Sequence, residues 1–181
     1  EVCEDVRSGK VARMNWKNPK TAVFLDRDGV ISKEIDILSS ADQLELIDGA
    51  GEAIRYINQK GYLAIVVTNQ PVIARNLCSL YELAHIHAKL ETLLGEKQAY
   101  LNAIYFCPHH PDAGYPEERR EYKIKCNCRK PAPGMLLQAA KDWNIDLTHS
   151  IMIGDRETDV EAGLNAGVKM SLMIERNKPY E

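Results

Sequence analysis

The chain has 181 residues, 45% of them hydrophobic and 27% charged, with a formal net charge of −3. This is enough apolar material for the core of one domain and excludes a disordered chain, while the weak negative charge gives no reason to expect nucleic acid or an anionic membrane as partner. The apolar run Leu63 to Val67 is far shorter than the ~20 residues of a membrane span, and no secretion signal opens the chain, so a cytoplasmic protein is expected.

Residues 1 to 20 are polar, carry Arg7, Lys10, Arg13, Lys17 and Lys20, and end in Asn18-Pro19. They read as a tail or linker, and the start at Glu1 rather than Met reads as processing or a cut from a longer chain. Residues 21 to 181 read as one domain. Ala22 to Leu25, Leu63 to Val67, Ala103 to Phe106, Ile151 to Ile153 and Met170 to Ile174 are short, partly β-branched runs bounded by turn formers, and are expected to be buried strands. Between them Gly51 to Gln59, Leu80 to Leu94, Gly134 to Trp143 and Glu157 to Ala166 have helical patterning. Ser79 and Glu82 form a capping box for the second helix, and Pro133 suits the start of the third. Strands alternating with helices predict an α/β fold with a three-layer, Rossmann-like parallel sheet.

The strongest runs end in residues suited to chemistry: Asp26 after AVFL, Thr68 after LAIVV, Asp155 after IMIG. Each alone could simply end a strand and begin a turn. Three together matter, because ligands of open α/β sheets bind outside the carboxyl ends of the strands. Asp26 and Asp28, two apart in extended chain, face one site, and two such carboxylates ionise together only around a cation. Mg²⁺ suits them, with Asp155 and Asp159 supplying the opposite side. Lys130, in CRKPAPG, supplies positive charge.

DRDGV, VVTNQ, RKPAPG and IGDRETD, in this order from Val23 to Asp159, resemble the four motifs of the haloacid dehalogenase-like (HAD) phosphatases. The resemblance implies that Asp26 is the nucleophile and Asp28 the general acid and base. It implies that Thr68, Asn69 and Lys130 hold the phosphoryl oxygens. Mg²⁺ would then bind the Asp26 carboxylate, the Asp28 backbone carbonyl and Asp155, with Asp159 behind them.

Five cysteines are present, Cys3, Cys78, Cys107, Cys126 and Cys128, an odd number that does not suggest a disulfide framework. Cys107, His109, Cys126 and Cys128 form a Cys₃His set suited to a closed structural Zn²⁺ site; His110 competes with His109, and free cytosolic thiols are the plainer reading. FCPHHPD, CNCRKPAPGM and TNQPVIAR resemble the histidinol-phosphatase and heptose-bisphosphatase group, the heptose branch most, which carries such a zinc loop. A small phosphorylated sugar, above all a heptose bisphosphate losing its 7-phosphate, is the implied substrate. Arg27, Glu34, Asn69, Gln70, Arg129 and Arg156 are the expected substrate contacts. The stretch ISKEIDILSS departs from the heptose enzymes, as do Pro71 and Arg156, which bears on the sugar contacts.

The gaps between Asp28 and Gly51 and between Thr68 and Lys130 are too short for a large cap domain. A rigid zinc-stapled loop carrying Arg119, Arg120, Lys123, Lys125, Arg129 and Lys130 is therefore expected to wall the cleft and meet a second phosphate. A solvated charge run is the commoner arrangement for such residues. A histidinol-phosphate phosphatase, and a nucleic-acid-binding zinc module, are the alternatives. A monomer is expected, and the resemblance allows an upstream sugar nucleotidyltransferase domain from which the chain is cut.

Overall fold

The computed structural model describes residues 18–112, 114 and 118–180, so most of the expected N-terminal tail, with Cys3, lies outside the described residues. Five strands, β1 (Ala22–Leu25), β2 (Leu63–Asn69), β3 (Ala103–Cys107), β4 (Ile151–Gly154) and β5 (Met170–Met173), form one sheet in the order β3-β2-β1-β4-β5. Every pairing is parallel. Four α-helices connect them: α1 (Ala50–Gln59), α2 (Leu80–Glu96), α3 (Gly134–Trp143) and α4 (Glu157–Ala166). The expected strands and helices are all present, displaced by at most a few residues at their ends.

Side-chain alternation along the central strands makes the layers. Val23, Leu25, Ala64 and Val66 pack in one core with Ile54 of α1 and Leu83, Ile86, Leu90 and Leu94 of α2. Phe24, Ile65 and Val67 point the other way, toward Met135, Leu136 and Ala139 of α3 and Ala162 and Ala166 of α4. A sheet covered on both faces requires nearly continuous apolar strands, which AVFL and LAIVV supply. The α2 stripe recurs at helical spacing, so its core-facing side is fixed; cutting one of its buried leucines to alanine would cost about 2–5 kcal/mol. Ser79 caps α2 as expected, accepting from the Glu82 amide at 3.1 Å while the Glu82 carboxylate accepts from the Ser79 amide.

Lys20, which the sequence reading placed in the tail, is bridged to Ile145, its amide donating to the Asn144 carbonyl at 2.9 Å. The order of strands reverses at β1, which has β2 on one side and β4 on the other. Such a switch point opens a crevice at the carboxyl ends of those strands. Among the described residues no separate cap covers it, and no helix is long and apolar enough to cross a membrane.

Candidate active site and metal clusters

The crevice holds a cleft of about 520 Å³, lined among others by Asp26, Asp28, Thr68, Arg129, Lys130 and Asp159. Asp26 follows β1, Thr68 lies near the end of β2, Asp155 follows β4, and Asp159 sits in the first turn of α4. Four separate pieces of sequence therefore meet because parallel strands present their carboxyl ends on one rim.

Lys130 is the centre of charge. Its side chain is buried, with Nζ 3.0 Å from Asp26 Oδ1 and 2.6 Å from Asp159 Oδ1, and it donates to the Val67 carbonyl at 2.8 Å. Burial alone would lower its pKa, but the two carboxylates outweigh that and raise it, so the ammonium is kept charged. Asn69 fixes the Lys130 backbone from both sides, donating to its carbonyl at 3.1 Å and accepting from its amide at 3.0 Å. Burial also pushes the Asp26 carboxyl above its ordinary value; Lys130 opposes the rise, and Asp159 and Asp28 add to it.

Asp28 has the opposite balance. Burial works to raise its pKa, yet the carboxyl is held below its ordinary value by the Arg27 charge and by hydrogen bonds from Arg27, Gln70 and Ser32. Arg27 grips it with a fork, Nε to Oδ1 at 3.0 Å and an Nη to Oδ2 at 2.8 Å. Gln70 donates through one Nε2 group to Asp28 Oδ2 at 2.9 Å and Thr68 Oγ1 at 2.8 Å. Arg27 itself is fully buried. Its guanidinium, expected among the substrate contacts, is turned to Asp28 and to His87, and the Asn69 and Gln70 side chains are likewise engaged in holding Lys130, Asp28 and Thr68.

Asp26, Asp155 and Asp159 each place a carboxylate oxygen within 4.8 Å of the others. Asp155 Oδ1 is buried without a hydrogen-bond partner, as a carboxylate oxygen reserved for a cation would be. The Asp28 carboxylate stands outside this group, and Asp159 lies within it while also holding Lys130. Gly29 keeps the approach open: its φ of +80° is left-handed, and a Cβ there would stand 2.4 Å from Asp155 Oδ2.

Arg176, on which no motif or strand end drew attention, pairs with Asp155 and, at 2.7 Å, with Glu34. Glu34 also pairs with Arg156. The segment carrying Arg176 is anchored beside the nucleophile loop, the Asn177 amide donating to the Gly29 carbonyl at 3.1 Å. Arg75, in the loop after β2, lines the cleft and was also missed by the sequence reading. His87, on α2, was missed as well; it touches the site through Arg27, with Nε2 3.1 Å from an Arg27 Nη.

The Cys/His set closes on itself. Cys107 Sγ lies 3.5 Å from Cys126 Sγ and 3.7 Å from His109 Nδ1; Cys128 Sγ lies 3.2 Å from both other sulfurs and 3.4 Å from His109 Nδ1. A tetrahedron built on Zn–S bonds of about 2.3 Å has edges of ~3.7 Å, close to these values. His110 is engaged elsewhere, its Nδ1 accepting from the Asp112 amide at 3.2 Å. The basic loop does not wall the cleft as expected. Lys123 pairs with Glu118, and Arg119 Nε donates to Asn76 at 2.6 Å; only Arg129 and Lys130 of that run line the cleft. Arg129 also donates to the His109 carbonyl at 3.2 Å, which ties the cleft wall to the Cys/His cluster.

With this geometry the chain is similar to a D-glycero-beta-D-manno-heptose-1,7-bisphosphate 7-phosphatase of Haemophilus influenzae, 41% identical over 158 residues, covering 87% of this chain and 83% of that protein. The chain belongs to the HAD-like heptose-bisphosphate phosphatase family. A family profile described as HAD-hydrolase-like matches residues 127–175. The protein of the same name from Escherichia coli K12 is 38% identical over 87% of this chain and 81% of its own length. A crystal structure of D,D-heptose 1,7-bisphosphate phosphatase from B. bronchiseptica, complexed with magnesium and phosphate, superposes with a TM-score of 0.73. That likeness covers 83% of this chain and 78% of the other at 32% identity.

Proposed function

We propose that this protein is a magnesium-dependent phosphatase that removes the 7-phosphate of D-glycero-D-manno-heptose 1,7-bisphosphate through an aspartyl-phosphate on Asp26. The observation that carries the reading is the buried Asp26 carboxylate, set within 4.8 Å of Asp155 and Asp159 and paired with Lys130. Such a carboxylate can approach a phosphate dianion only where other charges offset the repulsion. Family membership and the magnesium and phosphate of the B. bronchiseptica complex support the same reading.

Asp26, Asp155 and the Asp28 carbonyl would hold Mg²⁺, whose positive charge, once bound, offsets the repulsion between nucleophile and phosphate. An Asp26 oxygen attacks phosphorus, the bond from phosphorus to the sugar oxygen breaks, and Asp28 gives its proton to the leaving alkoxide. Arg27 favours the ionised form of Asp28 in the ligand-free protein, while an arriving phosphate dianion raises its proton affinity as any nearby like charge does. Asp28 then takes a proton from water, which attacks the aspartyl-phosphate, releases inorganic phosphate and restores the Asp26 carboxylate. Lys130 and Thr68 hold the phosphoryl oxygens throughout. Arg75, Arg129 and Arg156 on the cleft wall are suited to the phosphate that remains.

Cys107, His109, Cys126 and Cys128 would hold Zn²⁺ in a structural role, since four protein donors leave no open position for substrate. Thiolates of this kind persist in a reducing compartment, in keeping with a cytoplasmic enzyme.

The test is phosphate release from sugar bisphosphates, sugar monophosphates and histidinol phosphate, with Mg²⁺ and with chelator, by the wild type and Asp26→Asn. We expect heptose bisphosphate to be preferred, chelator to stop turnover, and the variant to lose more than about a hundredfold, as loss of a nucleophile does. Preference for histidinol phosphate would move the substrate assignment. Turnover by Asp26→Asn near that of the wild type would remove the covalent route.

A further inference from the structure

The grip on Asp28 does not end at Arg27. The Arg27 guanidinium spends Nε and one Nη on Asp28, and its other Nη reaches His87 Nε2 at 3.1 Å. Arginine has donors only, so the imidazole must accept here, with Nε2 bare and the ring neutral. Burial, and the Arg27 charge after it, lower the His87 pKa to about 4, which keeps that lone pair available at neutral pH. The ring is held by α2 at the back and lies against Phe106 of β3, centroids 5.7 Å apart and tilted 59°. Nothing in the proposed chemistry uses His87, yet a fully buried guanidinium is costly unless each of its donors finds a partner, and the half-buried imidazole supplies one.

We propose that His87 is a positioning residue: it fixes the Arg27 guanidinium by accepting from one Nη, and through that fork fixes the carboxylate of Asp28. The inference rests on the phosphatase reading for its catalytic consequence, but the placement of Arg27 stands independently of it. A fork with one arm pinned presents its other arms in a single plane, and a general acid must reach the leaving oxygen in one geometry. Without the acceptor, an Nη group in a dry site has no partner, and the guanidinium turns to find one.

The substitutions that separate positioning from bulk packing are His87→Leu, which removes the acceptor, and His87→Gln, whose amide oxygen can replace it. A lost hydrogen bond to a charged group corresponds to about ten- to a hundred-and-fifty-fold. We expect His87→Leu to lower kcat on a sugar phosphate by about that factor with KM changed less than about threefold, and His87→Gln to recover most of it. The leaving group supplies a readout that damaged packing would not. p-Nitrophenyl phosphate leaves without needing a proton, so its first-turnover release of p-nitrophenolate, which precedes the step in which Asp28 activates water, should slow by no more than about threefold in His87→Leu.

Arginine Nε–H NMR of the folded proteins checks the clamp without any turnover. The Arg27 signal should be resolved and slow to exchange in the wild type and in His87→Gln, and broadened or lost in His87→Leu. An unchanged Arg27 signal in His87→Leu overturns the proposal, as does an equal loss of the first-turnover rate on both substrates, or a His87→Gln variant as impaired as leucine. If the wild type cleaves no phosphoester, the functional reading fails while the NMR comparison still decides the clamp.

Discussion

Replacing Lys130 by Met tests the electrostatic core of the site, because the side chains are of similar length and only the charge departs. In the wild type the Lys130 ammonium lies 3.0 Å from Asp26 and 2.6 Å from Asp159, and it is buried. Its removal leaves the buried Asp26 and Asp159 carboxylates side by side without their counter-charge. Breaking a buried pair in this way costs about 3–5 kcal/mol. In a domain of this size each kcal/mol shifts Tm by roughly 2–4 °C, so a fall of about 6–20 °C is expected at neutral pH. The loss should depend on pH in a definite direction. Asp26 is raised above 3.8 even with Lys130 present, and without it the rise must be larger. Between 3.8 and the raised value the folded variant binds more protons than the unfolded chain, so its stability falls as pH rises. Lys130→Met should thus approach the wild type near pH 5 and fall furthest below it near pH 8, and added Mg²⁺ should restore part of the difference. Thermal unfolding followed by circular dichroism at the two pH values, with Mg²⁺ and with chelator, measures this. A variant as stable as the wild type at pH 8, or one whose deficit is the same at both pH values, would refute the argument that Lys130 holds two ionised carboxylates together.

The Cys/His cluster should carry one zinc per chain by elemental analysis, and Cys126→Ser should lower Tm; absence of zinc from protein purified without chelator would count against the cluster as a metal site. Arg129→Ala should lower kcat/KM for a sugar bisphosphate by roughly ten- to a hundred-and-fifty-fold while changing a monophosphate much less; equal losses would place Arg129 on the scissile phosphate or in the scaffold.

Much of this was legible in the residues themselves. Periodicity placed the strands and helices, because a strand buried on both faces has to be apolar throughout and a helix against it carries a stripe, as Leu83, Ile86, Leu90 and Leu94 do. Polar residues at the ends of three apolar runs announced the rim, since α/β sheets put their ligands there. The spacing of Cys107, His109, Cys126 and Cys128 announced a tetrahedral donor set. These signals are local in the chain, and the fold only brings them together.

What the sequence could not decide is which way a charged side chain turns. Arg27, flanked by the two key carboxylates, looked like a substrate contact; it is buried instead, because its fork is satisfied by Asp28 and by a histidine sixty residues away. Arg176 follows the last strand with no motif around it, and reaches Asp155 and Glu34 only because its segment folds back beside Gly29. The basic run from Arg119 to Lys125 promised a cationic wall, yet Lys123 found Glu118 and Arg119 found Asn76 outside the cleft. Hydrophobic burial follows a period that can be read along the chain, whereas a charge takes whichever partner the folded surroundings bring within about 3 Å.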